Sequence, residues 1–490
     1  MDVKNKGEYW MSSNLPSQHV SNAQINEHVD NFSQGLTRYL TELGLPSANV
    51  LVEPNERFKV ITNLPSIVEQ LSVELRSESM YISKFIAACG AGLFDAALNM
   101  IWNETVVNLR EKVKRFDMDY FLDSVISDSK RRLTFRSEED LVKLEEWELV
   151  KGCKDTGIIT EIGYKHLDYI RDMRNHASAA HPNHNDLTGL QLVSWLETCI
   201  KEVLAKEPEG PVMQVKQLLH NLRTRVLAVS DVHPIAAHIQ RLPESLVNST
   251  LRAVFGMYTK PDLEIQVRNN LNLVIPSLWS NSSKQSKHEA GLKLATFSAN
   301  AELDRKQFAH EFLTLVNGLS FMPADLRSIE IDQILDNLQR VHYGWNNFHN
   351  EPPYARMLLT YIPENGDVPE TVIEKYVFTL TLCNIGNGHG VSTEASNYYD
   401  RMMNRFTDKH FNLFVLLLWN TDIQSRLTNR ECNNNYRKLA EVFAERALNQ
   451  NLKDVLATIA DSSGTYLSGT PLFNAHKITK FFDAVEAIVV

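Results

Sequence analysis

The chain has 490 residues, of which 43% are hydrophobic and 22% are charged, fractions that are typical of globular proteins and exclude a disordered chain. This length exceeds the size at which a single hydrophobic core stops growing, so we expect more than one domain. The formal net charge of −10 excludes a protein that binds nucleic acid over its whole surface, because phosphate affinity depends mainly on lysine and arginine.

The sequence carries no sign of export or membrane insertion. Its first residues lack the apolar core of a secretory signal, and the apolar stretch around residues 415–419 is too short to cross a bilayer. The five cysteines lie far apart and form no CxxC pair, which argues against a disulfide framework and a zinc cluster. We therefore expect a cytoplasmic protein with no membrane contact.

The first predicted segment, residues 1–79, is a small α+β accessory segment. Apolar residues recur at helical spacing over residues 32–43 and predict a short helix. Residues 50–52 and 58–61 are rich in β-branched side chains and predict a hairpin or two edge strands.

The second predicted segment, residues 80–206, is a four-helix unit. A helical stripe of apolar residues runs from residue 82 to residue 113 and predicts one long buried helix. Further helical patterns follow at residues 138–150, 160–173 and 188–204. The polar stretch AKEPEGP, residues 205–211, is the expected linker.

The third predicted segment, residues 211–490, is again mostly helical, with interruptions expected at residues 231–234 and 350–353. Residues 375–382 fit either a strand or a helix. VHYGWNNFH, residues 341–349, fits an aromatic recognition surface or a packed helix end, and the helix end is the preferred interpretation. The fold class is therefore mainly α: a four-helix unit plus a large helical C-terminal region, with a small α+β N-terminal segment. No fixed-period repeat predicts a named solenoid.

The stretch DYIRDMRNHASAAHPN, residues 168–183, contains the residues best suited to catalysis. Arg174 and His181 are seven residues apart, so on a continuous helix they would point about 20° apart, two turns along the axis. Pro182 disfavours helical geometry at His181, which is therefore expected at a helix end near the surface. Asn175 follows the arginine directly.

This pattern resembles the signature of HEPN domains, which occur in toxin, anti-phage and CRISPR-associated ribonucleases. In that signature a polar residue follows an arginine, and four to six residues separate the arginine from a histidine. The resemblance covers about a quarter of the chain and implies an HEPN-like unit with Arg174, Asn175 and His181 as catalytic residues. Such a site needs no metal and no cofactor, since histidine supplies an acid or base and arginine stabilises the phosphoryl oxygens while the RNA 2′-hydroxyl attacks. It also implies a homodimer or higher homo-oligomer.

Two further groups of residues are candidates for contacts with RNA. Arg171 and His176 also fit the arginine and histidine spacing, so either they or Arg174 and His181 form the working pair. Lys130, Arg131 and Arg132 form a compact basic cluster that is the candidate RNA-binding surface, although such a cluster is also typical of a solvated turn.

The resemblance implies a bacterial abortive-infection effector that cleaves RNA, with tRNA among its candidate substrates. The C-terminal region would then respond to a phage-derived trigger or an inhibitory partner, by analogy with such toxins. The alternative is a catalytically inactive HEPN-like dimerisation or binding scaffold. In that case Arg174 pairs with Asp168 or Asp172, and His181 only caps a helix end.

Overall fold

The computed structural model describes residues 22–126, 128–177, 187–208 and 210–461. Over these residues the chain forms helices and no strand, which confirms the mainly α fold class. The chain divides into two compact units between His220 and Asn221. This division falls after the stretch at residues 205–211 that was expected to be the linker.

The first unit, Met1–His220, is built from helices in its described part. They are α1 (Asn22–Glu42), α2 (Pro54–Val68), α3 (Val73–Glu78), α4 (Met80–Ala91), α5 (Phe94–Phe116), α6 (Met118–Val125), α7 (Ser129–Arg132), α8 (Glu146–Asp155), α9 (Glu161–Ala177), α10 (Gly189–Cys199) and the start of α11 (Gly210–Thr224). A 3₁₀ helix, Glu138–Lys143, precedes α8, and a π-helical turn, Ile200–Leu204, continues α10.

The two strands predicted near the N-terminus are wrong. Residues 50 and 51 form a bend, residue 52 is irregular, and residues 58–61 lie inside α2. The buried apolar side chains of α2 recur at the spacing of one helix face: Val60, Ile61, Leu64 and Ile67. Pro54 lies in the first turn, where its missing N–H removes no helical hydrogen bond. The helical period therefore prevails over the β-branched composition, and the described part of this segment is helical.

The single long helix predicted for residues 82–113 is also wrong, because Gly92 divides it into α4 and α5. Gly92 has a φ of +82°, in the left-handed region that favours glycine. A Cβ atom at this position would lie 2.6 Å from Nε of Arg57. Arg57 is buried there and donates from Nε to the carbonyl of Val52 at 2.6 Å. The glycine thus ends α4 and leaves room for a buried guanidinium.

Helix α5 lies at the centre of the first unit. It packs against α4, α8, α9 and α10. Leu98, Trp102 and Leu109 are fully buried along it, so its apolar face forms much of the core. Polar residues at the border of that face are consequently within reach of side chains on α8 and α9.

The second unit, Asn221–Val490, consists of helices joined by turns and loops in its described part. After α11 its helices are α12 (Val229–Ile239), α13 (Glu244–Tyr258), α14 (Ile265–Asn281), α15 (Lys284–Ala299), α16 (Leu303–Leu315), α17 (Ala324–His342), α18 (Asn347–Tyr361), α19 (Ile373–Ile385), α20 (Thr393–Met403), α21 (Asp408–Leu416), α22 (Thr421–Leu427), α23 (Arg430–Arg446) and α24 (Gln450–Ala460). Residues 375–382, for which strand and helix were both open, lie in α19.

The interruptions predicted at residues 231–234 and 350–353 are wrong, since these residues lie inside α12 and α18. Pro352 cannot donate the hydrogen bond that the carbonyl of Phe348, four residues earlier, would accept in a regular helix. The hydroxyl of Ser392 donates to that carbonyl instead, at 2.6 Å. A side chain distant in sequence thereby compensates for the proline.

Among the residues that the structure describes, none of the helices has the length and hydropathy that crossing a membrane requires. All five cysteines lie in described parts of the chain, and each is buried with a free thiol. They contribute to the two cores as small apolar side chains.

Candidate functional site

Helix α9 carries four of the predicted site residues: Arg171, Arg174, Asn175 and His176. The helix begins after Thr160, whose hydroxyl accepts a hydrogen bond from the backbone N–H of Gly163 at 3.0 Å. Ile170 is buried against the core, and Arg174 follows it by one helical turn. Arg174 therefore lies at the border of the buried face, with 24% of its side chain exposed.

His181 lies outside the described residues, because α9 is described only as far as Ala177. The common face that the seven-residue spacing implies for Arg174 and His181 stays a prediction. The choice between this pair and the pair of Arg171 and His176 also stays open.

The guanidinium of Arg174 is held by three side chains. Nη1 donates to Oε2 of Glu146 at 3.0 Å, and Nη2 donates to Oε1 of the same carboxylate at 3.4 Å. Nε donates to Oδ1 of Asn99 at 3.0 Å, and Nη1 also reaches Oδ1 of Asn175 at 3.1 Å. Helices α5, α8 and α9 each contribute to fixing this arginine.

Glu146, the first residue of α8, is the acidic partner of Arg174. Its Oε2 also accepts a hydrogen bond from the indole Nε1 of Trp102, at 2.8 Å. Trp102 is fully buried, so the carboxylate is anchored to the core on one side and to the guanidinium on the other. An anchored carboxylate holds the arginine in a defined position.

In the alternative of a non-catalytic scaffold, Asp168 or Asp172 was expected to pair with Arg174. Both aspartates pair with Arg171 instead. Nη2 of Arg171 lies 2.9 Å from Asp168 and 3.0 Å from Asp172. His176 lies on the exposed side of α9. The structure thus brings Arg171, Arg174 and Asn175 to one place, whereas His176 does not line it.

A surface cleft of about 580 Å³ lies beside these residues, between the segment that leads into α8 and the faces of α5 and α9. Its lining residues are Arg110, Val142, Lys143, Leu144, Glu145, Glu146, Trp147, Arg171, Arg174 and Asn175. Four of these side chains are cationic and two are acidic. Counted alone, these side chains are net positive in a chain whose net charge is −10. Ion pairs with Asp140, Asp168 and Asp172, which are outside the lining, balance Lys143 and Arg171.

Arg110 is a lining residue that sequence reasoning missed. Its Nε is buried and has no hydrogen-bond partner among the described residues. Burial lowers the pKa of this guanidinium, and the charge of Glu146 acts in the opposite direction. The sequence did hold a signal for Arg110. This arginine is eleven residues from Asn99 on α5, so the two side chains point about 20° apart and lie on the same face of the helix.

Trp147 is a second lining residue that the sequence did not reveal. It follows Glu146 on α8, and half of it is exposed to solvent. An indole that is half exposed beside several guanidinium groups offers a flat apolar surface next to anion-binding groups. Its only sequence signal was an aromatic residue among glutamates at residues 145–148.

The basic cluster proposed for RNA binding is largely neutralised by carboxylates of its own unit. Arg131 donates to both oxygens of Glu148, at 2.5 and 2.6 Å. Arg132 pairs with Asp119 and Asp123, each at 2.6 Å. Lys130 is exposed. The role of this cluster in RNA binding stays a prediction, and two of its three charges are already balanced.

Comparison with known proteins gives no family. Protein-family models, curated proteins and solved structures contain no match to this chain. The residues of the cleft and the HEPN-like spacing at residues 174–181 are therefore the features that bear on function.

Proposed function

We propose that this chain is a metal-independent endoribonuclease that binds RNA in the cleft lined by Arg110, Arg171 and Arg174. The observation that carries the proposal is the convergence of these three guanidinium groups beside the exposed Trp147, in a chain of strongly negative net charge. Arginine is the side chain best suited to phosphate, because its planar group donates two parallel hydrogen bonds.

In the proposed reaction the guanidinium of Arg174 stabilises the phosphoryl oxygens as negative charge develops. The imidazole of His181, which the HEPN resemblance assigns to the site, exchanges the proton as base or acid near neutral pH. The RNA 2′-hydroxyl attacks the adjacent phosphorus, and the 5′-oxygen of the next nucleotide leaves. The products then end in a 2′,3′-cyclic phosphate and a 5′-hydroxyl.

Trp147 would bind a base that flanks the scissile phosphate. Stacking on an aromatic side chain is tolerant of sequence and contributes about 1 to 3 kcal/mol per base. The cleft therefore combines phosphate contacts with a stacking surface, as recognition of single-stranded RNA requires. A tRNA loop is one substrate of this kind.

The biological role that fits the resemblance is that of a bacterial anti-phage effector acting as a homodimer in the cytoplasm. In this proposal the second unit responds to a phage-derived trigger or to an inhibitory partner. An acidic chain with a small cationic cleft would have little affinity for RNA elsewhere on its surface.

The test is cleavage of total cellular RNA and purified tRNA in the presence of a metal chelator, with the product ends mapped. Wild type should cleave, Arg174→Ala and His181→Ala should lose at least about 100-fold in rate, and Arg38→Ala, an exposed arginine of α1, should be unchanged. Wild type that is inactive alone should become active when purified from phage-infected cells. Cleavage that persists in Arg174→Ala, or that requires a divalent metal, would contradict the proposal.

A non-catalytic binding module is the second candidate, and one observation favours it. Arg174 is already held by Glu146 and Asn99 in an arrangement that stabilises the packing of α5, α8 and α9. In that case the cleft would bind RNA or a nucleotide without cleaving it. Protection of bound RNA, with no cleavage during infection and no effect of His181→Ala, would establish this candidate over the first.

A further inference from the structure

A cluster of potential metal ligands lies in the second unit, in its own core. It consists of His342, the last residue of α17, Glu351 on α18 and Cys383 on α19. One ligand atom from each, a ring nitrogen, a carboxylate oxygen and the thiol sulfur, lies within 4.8 Å of the other two. The three residues come from three consecutive helices, and each is at most 2% exposed.

The carboxylate of Glu351 is oriented by several donors. Nδ1 of His342 lies 2.8 Å from Oε1, and Nδ2 of Asn347 donates to the same oxygen at 2.9 Å. The hydroxyl of Tyr399, on α20, donates to Oε2 at 2.9 Å. The contacts from Asn347 and Tyr399 are of the kind that holds a ligating carboxylate in a fixed direction at metal sites.

The polar groups of this cluster are not all satisfied by the protein itself. Nε2 of His342 is buried and has no hydrogen-bond partner among the described residues. A carboxylate, an imidazole and a thiol gathered away from water carry a desolvation cost that a bound cation would offset.

We propose that His342, Glu351 and Cys383 bind one Zn²⁺ ion that stabilises the second unit. Zinc accepts nitrogen, sulfur and oxygen ligands together, whereas Mg²⁺ and Ca²⁺ require mainly oxygen. In a tetrahedral zinc site the nitrogen and sulfur ligands are about 3.6 Å apart, given bond lengths near 2.1 and 2.3 Å. The three ligand atoms lie within 4.8 Å of one another, so small side-chain movements would bring them to such a geometry.

The proton balance of this site is simple. Zinc displaces the thiol proton of Cys383, and the thiolate forms the Zn–S bond. The carboxylate and one imidazole nitrogen provide lone pairs, so one proton is released and no electron is transferred. The three protein ligands leave the fourth tetrahedral position to a small ligand such as water. Because all three are buried, the ion would join α17, α18 and α19 and stabilise their packing, a role distinct from the proposed ribonuclease chemistry.

The primary experiment is elemental analysis of the full-length chain purified from cells grown with added zinc. We expect about one zinc ion per chain in wild type, and at least about tenfold less in Cys383→Ser and in His342→Gln. Cys432→Ser is the matched control, because Cys432 is also buried in the second unit but is not part of the cluster. It should retain the metal.

A second measurement does not depend on the folding of any variant. Wild type produced with cobalt in place of zinc should show a thiolate-to-cobalt charge-transfer band, which arises only from a sulfur–metal bond. Wild type without stoichiometric zinc, a cobalt form that lacks this band, or full zinc content in Cys383→Ser would each overturn the proposal. The cluster would then be a buried hydrogen-bonded network only.

Discussion

Arg174 shares the carboxylate of Glu146 with the indole of Trp102, and this arrangement decides how the arginine can act. The ion pair is partly exposed, with 24% and 31% of the two side chains accessible, so it contributes on the order of 1 kcal/mol. A phosphate dianion or diester that enters the cleft offers the guanidinium a second bidentate partner of comparable or greater strength. The pair therefore positions Arg174 without making it unavailable to a substrate.

His410 gives the second unit a predicted dependence on pH. It is buried, stacks on Phe406 with ring centroids 4.7 Å apart, and accepts a hydrogen bond at Nδ1 from the backbone N–H of Thr407 at 3.2 Å. Burial, together with the charge of Lys409, lowers its pKa to about 4. The folded state thus keeps this imidazole neutral where the unfolded chain, with a pKa of about 6.5, already binds a proton.

The sign of the effect follows from the lowered pKa. The free energy of unfolding should be highest above about pH 6.5 and should fall as the pH decreases toward 4, by at most about 3 kcal/mol from this residue. His410→Gln keeps an acceptor near Thr407 but does not titrate. Urea denaturation between pH 7 and pH 4.5 should show a flatter pH dependence for the variant, and parallel curves for the two proteins would contradict the assignment.

At the scale of helices, the sequence predicted helical segments in the first unit and a mostly helical second unit. It failed at positions where side chains distant in sequence determine the structure. The spacing of apolar residues correctly predicted a helix around Arg174. It missed the end of α4 because the left-handed turn at Gly92 is fixed by the buried Arg57, which lies far away in the sequence. It likewise placed a break at Pro352, since the donor that compensates for this proline is Ser392.

Gly92 provides a direct test of that account. Gly92→Ala should lower the free energy of unfolding by about 1 to 2 kcal/mol or more, because alanine is strained at a φ of +82° and its Cβ would lie 2.6 Å from Nε of Arg57. Gly90→Ala is the matched control two residues earlier in α4, where a Cβ meets nothing within 4 Å. It should raise stability by about 0.5 to 1 kcal/mol. Equal effects in urea denaturation would refute the explanation.

At the scale of the whole molecule, composition and periodicity predicted a mainly α chain with more than one folded unit. They did not predict the cleft, because Arg110, Glu146 and Arg174 meet only when α5, α8 and α9 pack together. A basic cluster that is continuous in sequence, at residues 130–132, was easier to see. Its arginines are balanced by nearby carboxylates, as Arg171 and Arg174 of the cleft also are. The cleft differs in having Arg110, whose Nε has no hydrogen-bond partner among the described residues, and the half-exposed Trp147.

The negative charge of the chain leads to a prediction about salt. If RNA contacts are confined to the cleft, its arginines should neutralise about three phosphates. A plot of the logarithm of the association constant against the logarithm of the salt concentration should then have a slope of about −2. Titrations with a labelled single-stranded RNA, using the inactive His181→Ala chain, would measure this slope. Arg110→Ala should reduce its magnitude by about 0.7, since one phosphate contact is lost.

The control for this titration is Arg38→Ala, which removes an exposed charge on α1 outside the cleft. If the slope is set by contacts in the cleft, this variant should keep the slope of the His181→Ala chain, because Arg38 does not line the cleft and contacts no phosphate bound there. If Arg38→Ala instead changes the slope as much as Arg110→Ala does, the chain binds RNA through charge spread over its surface. The cleft would then not be the RNA-binding site.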